Sequence, residues 1–486
     1  MQSVFLFIPC IVDVSLPDIG VATVSLLRHL GCQPFYHEEQ TCCGQVLYNA
    51  GRVDPARELA RRFITIFEQD GVIVSPSGSC VYMVRKLYPL LFEEEPDWCR
   101  RSVSLAERRK SAFADFSDPT AMQAAGAAIR AGALEQLPEL LETFEETATA
   151  NGARVFWAAD AGRANDYIVR VARQNGVQYV TKGKSMISEE LGLNEALAQK
   201  GIKAWETDLG EFITQLLKRP PFHIVGPAIN IPVAAISEIF MEKGIITSPE
   251  HDPVRLGLAA RRFLRQRFHH VEMGITGVNL AVAEIGSLIN VENEGNIRLS
   301  KSSPRIQVAV MSLEKIVATM ADALHLIRLL CRSSTGQAIS AYVSIDSGPR
   351  KNWELDGPEE LHIVILDNGR TRIYQDPETR DVLLCIRCGA CLNVCPIYGK
   401  IGGYPYGRAY TGPMGQILSP LLLGLDRTRD LFQACTLCRK CRSICPVGVD
   451  LNRLLFPKRV LPANLRVKIR IKSTAILFQQ VKELCN

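Results

Sequence analysis

The sequence predicts an α/β protein in several modules, closed by a small α-helical domain built around cysteines. Three observations carry that reading. Strand-like apolar runs alternate with segments of helical spacing over most of the chain, the pattern of a parallel sheet covered by helices. The chain has 486 residues, too many for one ordinary domain. Its 16 cysteines are clustered, most densely between Cys385 and Cys445.

Residues 1–98 read as strand and helix in alternation: SVFLFIP a strand, IGVATVSLLRHL a helix, QPFYH a second strand. Asp54 is expected to cap a helix with Pro55 at its first position, followed by ARELARRFITIFEQ. GVIV is a third strand, ended by SPSGSC. Residues 99–130, charged and rich in alanine, read as a helical connector. Over 131–375 the rhythm resumes in a larger α/β domain. Its expected strands or strand edges are ARVFWAAD, VQYVTKG, KAWETD, FHIVGPAIN, VEMGITGVNLAVAEIGSLINV, RIQVAVMS and LHIVILDNG. Its expected helices are LPELLETFEETATANG, ANDYIVRVARQNG and PVRLGLAARRFLRQRF. Residues 376–452 hold the spaced cysteines, and 453–486 form a basic tail.

With 47% hydrophobic and 22% charged residues the composition is globular. No apolar run reaches the roughly 18 residues a membrane span needs. The segment MQSVFLFIPC has no cation before Arg28 and no cleavage site, so it reads as a buried strand and not a targeting peptide. A cytoplasmic protein is expected, and there clustered cysteines argue for metal over disulfides. The formal charge is +5, but Pro446 to the end carries +6, which leaves the rest of the chain at about −1. Nucleic-acid binders spread basic charge over a folded face. Here it lies in a tail, a solvated end or a dock for an acidic partner or anionic surface. No nucleic acid is expected as a partner, and membrane contact is peripheral at most.

The chemistry starts with two runs, CIRCGACLNVCP and CTLCRKCRSICP. Soft thiolates suit iron. Three cysteines at two-residue spacing wrap one corner of a cubane, and the fourth, before proline, reaches the other cluster. One cluster is therefore expected on Cys385, Cys388, Cys391 and Cys445, and a second on Cys435, Cys438, Cys441 and Cys395. The alternative, a pair of zinc sites, calls for paired CxxC knuckles. Arg439, Lys440 and Arg442 lie between ligands of the second run, either as solvated loop charges or as cations favouring the reduced cluster and an acidic redox partner.

A further set, Cys10, Cys42, Cys43 and Cys80, follows the three N-terminal strands. Loops after parallel strands share one edge, so these thiols are expected to converge on a metal site, a third iron–sulfur cluster. An empty or zinc-filled site is the alternative. Cys32, Cys99, Cys331 and Cys485 are expected to pack.

The middle domain has no cysteine pattern. Lys182, Lys184 and Ser185 lie in a glycine-broken loop able to hold an anion, or simply to turn the chain. Glu284 and Asn293, with Glu294 and Asn296, flank strand edges and either line a pocket or satisfy turns. Asp208 and Glu211 either cap a helix or belong to a site. These five, Lys182, Lys184, Ser185, Glu284 and Asn293, are the candidate catalytic residues. No GxGxxG fingerprint, CxxCH haem motif or hydrolytic triad is legible, so no NAD or flavin site is assigned.

The blocks KGKSMISEELGLN, ETDLGEFI, FHIVGPAIN, GITGVNLAVAEIGS, NEGN, DGPEELHIVILDNGRT, CIRCGACLNVCPIY, IGGYPYG, YTGPMG and CTLCRKCRSICPV occur in order over about 105–456. Together they resemble the lactate utilisation protein B family, iron–sulfur proteins of L-lactate oxidation. Residues 1–98, through FIPCIVDVSLPDIGVATVSLLRHLGC, QTCCGQVLYNAG and SPSGSC, resemble the first half of the A-type companion. They also resemble the cysteine-rich CCG domain of the heterodisulfide reductases, although Ser77 stands where that family has a further cysteine. The resemblance implies a fusion of a half-length A-type domain to a B-type chain. It implies a middle domain related in fold to the ribose-5-phosphate isomerase and CoA-transferase group. It also implies a separate C-type partner, a further A-type subunit, and quinone or another electron acceptor. The leading expectation is an electron-transfer component of an L-lactate dehydrogenase complex, taking lactate to pyruvate, rather than a self-sufficient enzyme. A cluster-bearing adaptor for a separate dehydrogenase and a heterodisulfide-reductase-like thiol enzyme are the alternatives.

Overall fold

The structure, a computed structural model, describes residues 2–67, 71–88, 91, 97–407, 409–424, 427–428, 431 and 435–459. The tail after Arg459, with Cys485, lies outside the described residues, as does the side chain of Cys99. The chain divides into two compact units, one reaching to Pro96 and one spanning Asp97–Arg459.

In the first unit β1 (Gln2–Leu6) lies between β2 (Cys32–Tyr36) and β3 (Val72–Val74), all parallel. Leu6 is level with both Tyr36 and Val74, so the loops after the three strands leave one edge together. The connecting helices are Pro17–His29 and Val53–Phe67. The second begins one residue before Asp54, which therefore sits in the first turn, bonded to Arg57 at 2.8 Å, and is not the cap. Phe7, Phe63 and Phe67 meet edge-on or tilted and close the core on that side. Cys32 is buried at the start of β2, as expected.

The second unit is built on two sheets. Its strands are β4 (Arg154–Ala158), β5 (Tyr179–Lys182), β6 (Lys203–Glu206), β7 (Met273–Gly277), β8 (Leu280–Val282), β9 (Ser287–Glu292), β10 (Ile306–Ser312), β11 (Ile316–Val317), β12 (Tyr342–Asp346) and β13 (Glu360–Leu366). Six of them form a parallel sheet in the order β4-β13-β10-β7-β5-β6. The others form a mixed sheet, β11-β8-β9-β12. Strands buried on both faces read as continuous apolar runs, which is why β10 and β13 were legible.

FHIVGPAIN, expected as a strand, is a loop with no strand pairing. The His223 imidazole explains it: Nδ1 accepts from the amides of Val225 and Gly226, at 3.1 and 3.2 Å, in place of a ladder. The segment 99–130 is helical, in Asp97–Ala114 and Pro119–Glu135. One continuous core runs from the mixed sheet through the helix Leu137–Ala150 to Cys388, Cys441 and Val449.

Gly274 in β7 faces the backbone of Ser300, whose carbonyl oxygen lies 1.7 Å from where a Cβ would stand. Backbone cannot yield as a side-chain tip does. Gly274→Ala is therefore expected to destabilise the second unit by about 3 kcal/mol or more, read as a lowered thermal midpoint.

Candidate metal centres and the adjoining cavity

The two cysteine runs adopt the same wrap. The residue two after each first cysteine, Arg387 and Leu437, has φ of 61° and 57°. Two residues later Gly389 and Arg439 are again left-handed, at 76° and 60°. Left-handed backbone costs a non-glycine residue about 1–2 kcal/mol, so the sequence accepts strain to aim its thiols. The turns point amides at sulfur: Arg387 N donates to Cys385 Sγ at 3.4 Å and Leu437 N to Cys435 Sγ at 3.3 Å. After each run Tyr398 N reaches Cys395 Sγ at 3.4 Å and Val449 N reaches Cys445 Sγ at 3.3 Å. Such bonds favour thiolate.

The thiols surround two small cavities. The first, of ≈ 30 Å³, is lined by Cys385, Cys388, Cys391 and Cys445, with Cys441 also on its wall. The second, of ≈ 20 Å³, is lined by Cys395, Cys435, Cys438 and Cys441. Cys441 and Leu451 belong to both walls, so the cavities adjoin. Burial, then the crowding of other thiolates, pushes Cys388 and Cys441 up to about 12. Burial likewise raises Cys395 to about 12 and Cys445 to about 11. Such thiols ionise when cationic iron sits among them. Among the described residues no three His, Cys, Asp or Glu close around a single ion. The thiols stand around cavities, which suits multi-iron cores better than lone zinc ions.

In the first unit Cys43 and Cys80 are both buried and hydrogen-bonded to each other, with Cys42 beside them. The bond from Cys43, followed by those from Ser77 and Ser79, outweighs burial and brings Cys80 down to about 6. Cys43 is correspondingly raised. Ser77 thus donates to a neighbouring thiolate. Cys10, exposed, begins the helix Cys10–Ser15 on the same sheet edge. Gln40 ties its loop to the next: Oε1 accepts from Ile8 N at 2.7 Å, while Nε2 donates to Leu6 O and His37 O at 3.1 and 2.8 Å.

At the carboxyl edge of β5, β6 and β7 lies a cavity of ≈ 700 Å³. Open α/β sheets bind ligands at this edge. Lys184, Asp208, Asn279, Asn293, Glu294 and Arg387 carry its polar wall. Lys184 Nζ bonds Asp208 at 3.1 Å and Val225 O at 2.9 Å. Asp208 caps the helix Leu209–Leu216 by accepting from Glu211 N, as one of its two readings had it. Asn293 bonds Gln337 and Ala341 at the rim. The other candidates point elsewhere. Lys182 is wholly buried, paired with Glu189 and Glu206 at 2.8 Å each. Ser185 caps the short helix Met186–Leu191. Glu284 is exposed and accepts from Met320 N at 2.7 Å. Of the five, the structure thus gathers Lys184 and Asn293 on the cavity wall and spends the rest on folding.

Sequence reading missed the buried charges between the sheet and the cysteines. Arg370, fully buried, grips Glu190 through two nitrogens at 2.8 and 2.7 Å and reaches Glu314 at 2.9 Å. Arg387 bonds the other Glu314 oxygen at 2.8 Å. Tyr410 OH bonds Glu190 at 2.5 Å. The two arginines hold Glu314 down to about 2 against its burial. His223, also missed, is buried; burial lowers it to about 4, so it is neutral. With Nδ1 accepting, its Nε2 donates to Asn393 Oδ1 at 3.1 Å, fastening the loop to the helix Ala390–Asn393. A polar residue in the glycine–proline loop was the available signal for His223; nothing local marks Glu190, Glu314 and Arg370 as partners.

Comparison with known proteins bears on three segments. Residues 4–85 match the Cysteine-rich domain, 141–366 the LUD domain and 381–449 the 4Fe-4S dicluster domain. The dicluster match supports two iron–sulfur clusters and the Cysteine-rich match another. The chain is 44% identical over 356 residues to Lactate utilization protein B of Anoxybacillus flavithermus, covering 73% of this chain and 75% of that one. It is 42% identical over 350 residues to the Uncharacterized electron transport protein YkgF of Escherichia coli, covering 72% and 73%. Among solved structures a DUF162 family protein from Deinococcus radiodurans covers 47% of this chain and 98% of its own, at 12% identity and a TM-score of 0.27.

Proposed function

Because the chain belongs to the lactate utilization protein B family, we propose that it is the iron–sulfur electron-transfer subunit of a complex oxidising L-lactate to pyruvate. A role in lactate utilisation and electron transfer follows from the family and its dicluster domain. The observation that carries the finer reading is the pair of adjoining thiol-lined cavities, with a ligand-sized cavity beside the first.

Cys385, Cys388, Cys391 and Cys445 would hold one [4Fe-4S] cluster, Cys435, Cys438, Cys441 and Cys395 the second, and Cys10, Cys42, Cys43 and Cys80 the third. The clusters supply one-electron transfer. The chain's own residues aim the thiols, exclude water with Tyr410, Met414 and Leu451, and place charge around the sites. Lactate oxidation itself is assigned to a partner-completed assembly, with a C-type protein, a further A-type subunit and a quinone-class acceptor. A cytoplasmic setting is in keeping with the described residues, in which no helix is long and apolar enough to cross a membrane. The Cys43–Cys80 pair favours a second reading, thiol–disulfide chemistry at the first unit.

Anaerobic purification with iron and sulfide counted per chain is expected to give about twelve irons, and about eight in Cys43→Ala. A count of eight unchanged by Cys43→Ala would remove the third cluster. Addition of lactate is expected to bleach the clusters only when partner proteins are present. Bleaching by lactate alone would make the chain a complete enzyme. Bleaching reversed by a disulfide, with no lactate response, would favour the second reading.

A further inference from the structure

The two cysteine sites sit in unlike electrostatic surroundings. Around the first, Arg130 is 2% exposed, and its guanidinium donates to four backbone carbonyls: Leu384, Ile316, Glu314 and Leu383, at 2.6 to 3.2 Å. Arg387 has 7% of its side chain exposed; Nη2 takes Glu314, while Nη1 is buried without a hydrogen-bond partner. Arg109 approaches from the helix Asp97–Ala114, with Nη2 on Ile444 O at 2.7 Å and Nε buried and unbonded. Half-buried Lys315 lies within the same network, and Arg370 is already saturated by Glu190 and Glu314. Of the cations Arg109, Arg130, Lys315, Arg370 and Arg387, Arg370 and Arg387 are ion-paired to Glu190 and Glu314, while Arg109 and Arg130 bond backbone carbonyls.

The second site differs. Its cavity wall carries Arg439, which is exposed, and Lys440, which is half-buried. Arg442 is 54% exposed and paired with Asp450 at 2.9 Å. The cations singled out from the sequence are therefore the solvent-side ones, and among the described residues the buried cations belong to the other cluster.

Buried positive charge without matching anions is costly, and water and salt do not screen it. A thiolate-ligated iron–sulfur cluster is anionic and becomes more so with each electron it takes. Cations in the interior favour that electron far more than cations at the surface. We propose that the site of Cys385, Cys388, Cys391 and Cys445 holds the more easily reduced of the two clusters, and that Arg387 is a positioning residue that sets this order. Its Nη1, buried without a partner, would find an acceptor in a cluster's sulfur. Ile224 and Arg387 line both this site and the ≈ 700 Å³ cavity, so the electron rests on the cluster next to the cavity.

This inference rests on the two-cluster reading, and its test separates the two. The full chain with its clusters is titrated potentiometrically under paramagnetic resonance. Cys388→Ser and Cys438→Ser assign the signals. The signal altered by Cys388→Ser is expected at the higher potential. Arg387→Gln is expected to cut the reduced-to-oxidised ratio of that cluster about tenfold at fixed potential, ~59 mV for one electron, leaving the other cluster in place. Arg387→Lys, which keeps the charge, is expected to restore most of the shift. Should Arg387→Gln fail to fold, Arg109→Gln, on another side of the site, is expected to act in the same direction. A reversed order, or a shift in neither cluster or equally in both, overturns the inference with the two clusters intact. Absence of two separable signals overturns the two-cluster reading and the inference with it.

Discussion

Cys395→Ala is expected to abolish the cluster of the second cysteine run and to spare the cluster of its own run. Cys395 lines the same cavity as Cys435, Cys438 and Cys441, while Cys385, Cys388 and Cys391 line the other with Cys445. The loss is about four irons per chain. Paramagnetic resonance on Cys388→Ala, Cys395→Ala and Cys438→Ala settles it. The Cys395 and Cys438 spectra are expected to agree and to differ from that of Cys388. If Cys395 instead matches Cys388, each run keeps its own cluster.

Glu314→Ala is expected to cost about 3–5 kcal/mol, because it leaves Arg370 and Arg387 buried with less opposing charge. Both Glu314 oxygens are in use, and its side chain is fully buried. Arg154→Ala, which breaks a surface pair with Glu360, is the control and is expected to cost about 0–1 kcal/mol. Thermal midpoints of the iron-loaded proteins give the comparison; equal shifts would mean that the buried network contributes no more than a surface pair. The same residue predicts an acid limit. Its folded pKa of about 2 lies below the ordinary value of about 4.3. Its stabilisation is therefore complete above the ordinary value and is lost as pH falls through about 2.

The cysteine module was the most legible part, because its chemistry is encoded in local spacing that one tight wrap must satisfy. The expected meeting of Cys10, Cys42, Cys43 and Cys80 rested on a longer route, three parallel strands of matched register that leave their loops on one edge; there Cys43 and Cys80 are hydrogen-bonded, while Cys10 is exposed. Legibility failed where a residue's role depends on what folds against it. Lys182 and Lys184 look alike in sequence, yet one is locked between Glu189 and Glu206 and the other lines a cavity. Arg387 is one of the spacer residues inside a cysteine loop, and only the approach of Glu314 shows what it does. Arg130, Glu190, Glu314 and Arg370 come from four separate elements, so no window of sequence contains the network. β11, two residues long, and β12, an edge strand with half-exposed side chains, give too weak a periodicity to read.

The helices at the start of the second unit grip its last cysteine loop. Arg109 bonds Ile444 O at 2.7 Å and Gln123 bonds Cys445 O at 3.3 Å, across 335 and 322 residues of sequence. A chain emerging from the ribosome cannot make either contact until nearly the whole unit has been synthesised. Contacts of such long range slow folding, and during that delay the thiols stay open to oxygen and to stray metals. Closure of the last cysteine loop is therefore tied to the docking of helices made more than three hundred residues earlier, a dependence that a module of these cysteines alone would not have.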